Sequence, residues 1–110
     1  MTQEKQNAVN AIEEKAGLIG DVADHIWEYA ELSLQEVKSA ALYCEVLEKE
    51  GFQVEKGISG IETAFSASYG QGRPMIGFLA EYDALSGLSQ EGGSLEKKEL
   101  TCLLYTSRCV

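Results

Sequence analysis

Met75-Ile76-Gly77-Phe78-Leu79-Ala80 is apolar throughout and runs directly into Glu81-Tyr82-Asp83. A strand with apolar residues on both alternating faces needs cover on both, as inner strands of a helix-covered sheet have. The run therefore predicts an α/β fold, a mixed sheet packed by helices. With 110 residues there is room for one small domain. A chain of this size buries only about 60–65% of its unfolded surface, so its stability margin is thin.

Upstream the periodicity is helical. Val9, Ile12, Ala16, Ile19, Val22, Ala23, Ile26 and Ala30 recur at steps of three and four, which places them on one stripe. Gly17 and Gly20 weaken that helix by about 1 kcal/mol each, so a kink is expected there, with Asp21 restarting the helix. Ser33-Leu34-Gln35-Glu36 fits a capping box for a second helix, whose stripe is Val37, Ala40, Ala41, Cys44 and Leu47. Gly51 suits the left-handed position that ends it. Phe52–Glu55 alternates as a short strand does, Lys56–Glu62 reads as a loop, and Thr63–Tyr69 is a second strand. Gly70–Pro74 is a turn, so the strands on either side of it are expected to form an antiparallel hairpin. After Leu88 the polar stretch Ser89–Glu99 reads as a surface loop.

The formal net charge of -9 argues against nucleic acid and anionic membrane surfaces, both of which attract Lys and Arg. No apolar run approaches the ~18–20 residues of a membrane span, and the polar N-terminus lacks a signal-peptide core. A cytoplasmic protein is expected. Cys44, Cys102 and Cys109 have no metal-ligand spacing, and His25 is the single imidazole. Cys44 reads as a small buried hydrophobe and His25 as a partly exposed helical residue.

Chemistry is best placed at the end of the apolar run. Groups in α/β sheets project beyond the carboxyl ends of strands. Glu81 and Asp83, two residues apart, would point the same way. Two close carboxylates can shift each other's pKa or share a cation, although two solvated acids at a strand end fit the spacing as well.

Several segments resemble the aminoacylase-like metallopeptidases. Ile26-Trp27-Glu28-Tyr29-Ala30-Glu31-Leu32, followed by Glu36 and Ser39, is similar to the family's opening, with Ala30 where members usually carry Pro. Leu47-Glu48-Lys49-Glu50-Gly51-Phe52-Gln53-Val54 is similar to its L-E-x-x-G-F-x-V segment. Thr63-Ala64-Phe65 with Gly72-Arg73-Pro74 fits the next hairpin. Glu81-Tyr82-Asp83-Ala84-Leu85-Ser86-Gly87-Leu88-Ser89-Gln90 resembles the strand-end motif of the aminobenzoyl-glutamate hydrolase branch, with Ala80 for its Gly and Ser86 for its Pro.

The resemblance implies part of a zinc-peptidase-like catalytic domain, truncated after two helices and the first strands. It implies a parent enzyme with a divalent metal site of zinc or manganese. That enzyme would hydrolyse the amide of an N-acyl amino acid, a dipeptide or an aminobenzoyl-glutamate-like substrate, as a homodimer. Asp83 would orient a metal-binding group. Glu81 stands where other branches carry a metal-binding His. The branch's next motif, Gly-His-Gly-Cys-Gly-His-Asn, is not in the chain, so the fragment is expected to bind no metal and to be inactive.

Residues 1–101 form the expected catalytic-domain portion. Cys102–Val110 breaks the pattern and resembles a translated transposase adapter from sequencing libraries, running into its reverse complement and then a stop. Re-reading the source DNA should show the adapter; intact genomic sequence encoding these residues would refute it. A non-catalytic acidic α/β interaction module is the competing class.

Overall fold

The computed structural model describes residues 1–88 and 90–99. The expected foreign tail at 102–110 lies outside the described residues. Three helices precede a two-stranded antiparallel sheet.

Helix α1 spans Gln3–Glu14 and α2 spans Ala16–Tyr29. The Thr2 hydroxyl caps α1 by accepting from the Lys5 N–H. The break falls at Lys15 rather than at the glycines, and Gly17 and Gly20 both sit inside α2. The Lys15 ammonium pairs with Glu50, so the junction is tied to the far end of the next helix. The long apolar stripe therefore does not act as one buried face: Ile12 and Ile19 are 63% and 55% exposed.

Helix α2 ends at Ala30, which is left-handed at φ 44° and ψ 46°. That conformation costs a non-glycine residue roughly 1–2 kcal/mol. Ala30 is nevertheless buried, and the sharp turn it makes brings Glu31 and Leu32 back against the next helix. Helix α3 spans Val37–Lys49. Its N-cap is Glu36, not Ser33, and the Glu36 side chain makes no cap hydrogen bond. The expected capping box is not formed: the helix starts only at Val37, and the Lys38 and Ser39 N–H groups of its first turn donate to the Glu31 carboxylate. At the other end Gly51 adopts φ +92°. Its N–H donates to the Glu48 carbonyl and the Phe52 N–H to the Leu47 carbonyl, the paired closure expected of a left-handed C′ glycine.

Strand β1 (Gln53–Lys56) pairs with β2 (Phe65–Ser68), with Gln53 opposite Ser68 and Lys56 opposite Phe65. Between them Gly57 and a short 3-10 turn at Ile58–Gly60 make the expected loop. The core is small. Cys44 and Ser39 of α3 are fully buried. Tyr43, Phe65 and Tyr82 stack around them, with the Tyr43 and Tyr82 rings 5.3 Å apart.

Residues 75–80 depart from expectation. They form no strand among the described residues, and β2 pairs with β1 rather than with them. Met75, Ile76, Phe78 and Leu79 are 88%, 74%, 94% and 98% exposed. An apolar run becomes a buried strand only if other strands and helices supply two covering faces. Here α3 and β1 already cover β2, and nothing among the described residues reaches the next segment.

Candidate functional site

Three segments meet at one end of α3: the turn after α2, the first turn of α3, and the stretch 81–84 beyond the apolar run. Leu32 and Ala84 form a parallel bridge, and the Ala84 N–H donates to the Glu31 carbonyl at 2.8 Å. Glu31 thus holds the strand-end motif with its backbone and α3 with its side chain. Its carboxylate accepts from the Lys38 N–H at 3.0 Å, the Ser39 N–H at 2.7 Å and the Ser39 hydroxyl at 2.8 Å. A carboxylate on the free N–H groups of a helix start also meets the positive end of the helix dipole. Burial pushes the Glu31 carboxyl up, but these three bonds and the nearby Lys38 charge outweigh it and hold it below its ordinary value.

The motif alternates as an extended segment should. Tyr82 turns inward while Glu81 and Asp83 face solvent. The Tyr82 hydroxyl donates to the Thr63 carbonyl, pinning the motif to the loop before β2. Burial, and then the Glu36 carboxylate, raise the Tyr82 phenol above its usual range. Glu36 is 8% exposed, and its Oε2 has no hydrogen-bond partner among the described residues. Cys44, one turn beyond Ala40, is 2% exposed. Burial pushes its thiol up, the condition of an inert packing cysteine rather than a nucleophile. His25 is exposed on α2, its Nδ1 2.6 Å from the Asp21 carbonyl, away from this cluster.

Glu81 and Asp83 therefore share the exposed side, as their spacing suggested, next to the turn at Ala30–Leu32. No three His, Cys, Asp or Glu side chains among the described residues lie together as a metal site would require. A zinc site takes four ligands, or three and a water; two exposed carboxylates do not fit one. Reasoning from spacing passed over Glu31 and Tyr82 and gave Glu36 only a capping role. For Glu31 the signal was present only in the resemblance. Helical periodicity marks apolar stripes and is silent on a carboxylate that folds back onto a cap.

The chain is 42% identical over 92 residues to a p-aminobenzoyl-glutamate hydrolase subunit of Escherichia coli K12. The aligned stretch covers 84% of this chain and 19% of that protein, so the chain spans about a fifth of the curated relative's length. No protein-family model matches the chain. No solved structure matches it either. Identity at this level over most of the chain is sequence kinship rather than shared composition. Over most of its own length the chain is therefore similar to one part of a p-aminobenzoyl-glutamate hydrolase subunit.

Proposed function

We propose that this chain is the opening portion of an amidohydrolase that cleaves aminobenzoyl-glutamate-like substrates or related N-acyl amino acids. One observation carries the reading. The segment Glu81–Leu88, which resembles the hydrolase strand-end motif, is held by Glu31 and Tyr82 with both of its acids on the solvent side. The likeness to a protein named as a hydrolase component supports it.

In this reading Asp83 orients a group supplied from outside residues 1–88, and Glu81 lines the rim. The divalent metal, zinc or manganese, belongs to the complete enzyme, because the two acids here do not fit a metal by themselves. The 110-residue chain is accordingly inactive. The complete enzyme is a cytoplasmic homodimer acting on a small amide. No helix among the described residues is long and apolar enough to cross a membrane.

The test is glutamate release from p-aminobenzoyl-glutamate, and from a panel of N-acyl amino acids, by two proteins. One is the 110-residue chain; the other is the product of the source reading frame followed past Leu100. Release by the longer product alone is expected. Release by the 110-residue chain would overturn its inactivity, and a longer product silent on every amide would overturn the hydrolase reading.

A further inference from the structure

Glu81 and Asp83 are both exposed, but the fold holds them differently. Tyr82, directly before Asp83, donates its hydroxyl to the Thr63 carbonyl. Ala84, directly after it, donates its N–H to the Glu31 carbonyl at 2.8 Å and bridges to Leu32. Asp83 therefore lies between two neighbours, each anchored to a different part of the fold. Glu81 has the Tyr82 anchor on one side only. On its other side, no backbone N–H or C=O from Met75 to Ala80 joins a backbone hydrogen bond among the described residues. In an extended segment the backbone on both sides of a residue sets the direction of its Cβ. The fold thus fixes where the Asp83 carboxylate points and leaves Glu81 free to adapt.

The Tyr82 anchor combines two kinds of contact. Its ring packs against Tyr43 and Phe65, with centroids 5.3 Å and 6.0 Å away. Ring packing alone tolerates sliding, because apolar contact is non-directional. A hydroxyl bonded to one carbonyl does not, since a hydrogen bond weakens steeply with distance and angle. Thr63 is itself buried, two residues before β2, so the accepting carbonyl is fixed beside the sheet. Phenylalanine would fill the same space without fixing the depth of the ring. We propose that Tyr82 is a positioning residue for Asp83: its hydroxyl sets the reach of that carboxylate toward the group that it orients. This rests on the hydrolase reading above. Glu81, without a second anchor, is not placed in the same way.

Tyr82→Phe tests this in the product of the reading frame followed past Leu100, on whichever amide of the panel that product cleaves. Its kcat should fall about tenfold while KM stays within about twofold, as when a group is misplaced for reaction rather than for binding. In an Asp83→Asn background the same change should cost less than about twofold, because the hydroxyl acts through that carboxylate. In a Glu81→Gln background it should again cost about tenfold. Amide hydrogen exchange on the 110-residue chain gives a reading independent of activity. The Ala84 N–H should be protected relative to the Leu79 N–H, and Tyr82→Phe should lower that protection about fivefold with circular dichroism unchanged. An unchanged kcat, or Ala84 exchange that Tyr82→Phe leaves untouched, overturns the proposal while the hydrolase reading stands. So does a tenfold loss in the Asp83→Asn background, which would mean that the hydroxyl only steadies the core. An unmodified product silent on every amide overturns the hydrolase reading and this proposal with it.

Discussion

Helix α3 and the run at 75–80 are both apolar, yet one forms the centre of the fold and the other lies outside it. Cys44 of α3 is 2% exposed, whereas Leu79 is 98% exposed. The difference is not hydrophobicity, since Leu buries far more apolar surface than Cys. It lies in what each segment finds beside it. α3 has β1 and β2 against one face, and its ends are closed locally by Glu31 and Gly51. The run at 75–80 needs two covering faces and meets neither. Apolar content states a demand for burial; only neighbouring elements with matching geometry satisfy it.

If that contrast is right, substitutions in the two regions should differ sharply in effect, and urea unfolding followed by circular dichroism can rank them. The largest effect is expected from Cys44→Asp. It places an unpaired carboxylate in a fully enclosed position near Glu48, and should cost about 3 kcal/mol or more. For a domain this small that is enough to abolish cooperative unfolding. A Cys44→Asp chain that unfolds like the original would remove α3 from the core.

Glu31→Gln is next, at about 1 kcal/mol, because an amide can accept but no longer carries the charge that meets the helix start. It also has a pH signature. The Glu31 carboxyl is held below its ordinary value in the folded chain, so it is the charged form that folding favours. Its contribution is complete above the unfolded value near 4.5 and is lost as pH falls through the lower folded value. The glutamine variant should therefore lose less stability on acidification than the original does. Equal acid sensitivity in both would show that the three hydrogen bonds at Glu31 carry no net weight.

Gly51→Ala should cost slightly less, up to about 1 kcal/mol, since the added methyl disfavours the φ of +92° that closes α3. The nearest atom to that methyl is Tyr69 Cε2 at 3.5 Å, an ordinary contact. The penalty is thus conformational, and Gly51→Asn should recover part of it. At the bottom of the series, Phe78→Lys should change stability by no more than about 0.5 kcal/mol, because the ring is 94% exposed. A loss comparable to that of Cys44→Asp would mean that the run is packed after all.

The elements legible in the sequence are those fixed by local chemistry. Helix α3 itself, the stop at Gly51, the alternation of β1 and the glycine loop before β2 each follow from interactions within a few residues, although Val37 of the expected α3 stripe is 67% exposed. The outward placement of both Glu81 and Asp83 follows from the two-residue period of an extended chain. Other features could not be read that way. The break at Lys15 coincides with an ion pair to Glu50, thirty-five positions away, while the two glycines nearby are the stronger local signal. The capping box at Ser33 fitted the local pattern, yet the helix starts at Val37 and its first turn is capped by Glu31, a carboxylate that returns from the preceding turn and reaches two N–H groups and a hydroxyl together.

Residue order alone determined where helices and strands can exist, where α3 must end, and that Glu81 and Asp83 share a side. These are consequences of backbone geometry and of the fixed periods of helix and strand. Tertiary structure alone decided which hairpin forms, which residue caps α3, and that the most apolar segment lies outside the core. Each of these depends on whether distant groups arrive with the right geometry, and pairing across space competes with every local preference written along the chain.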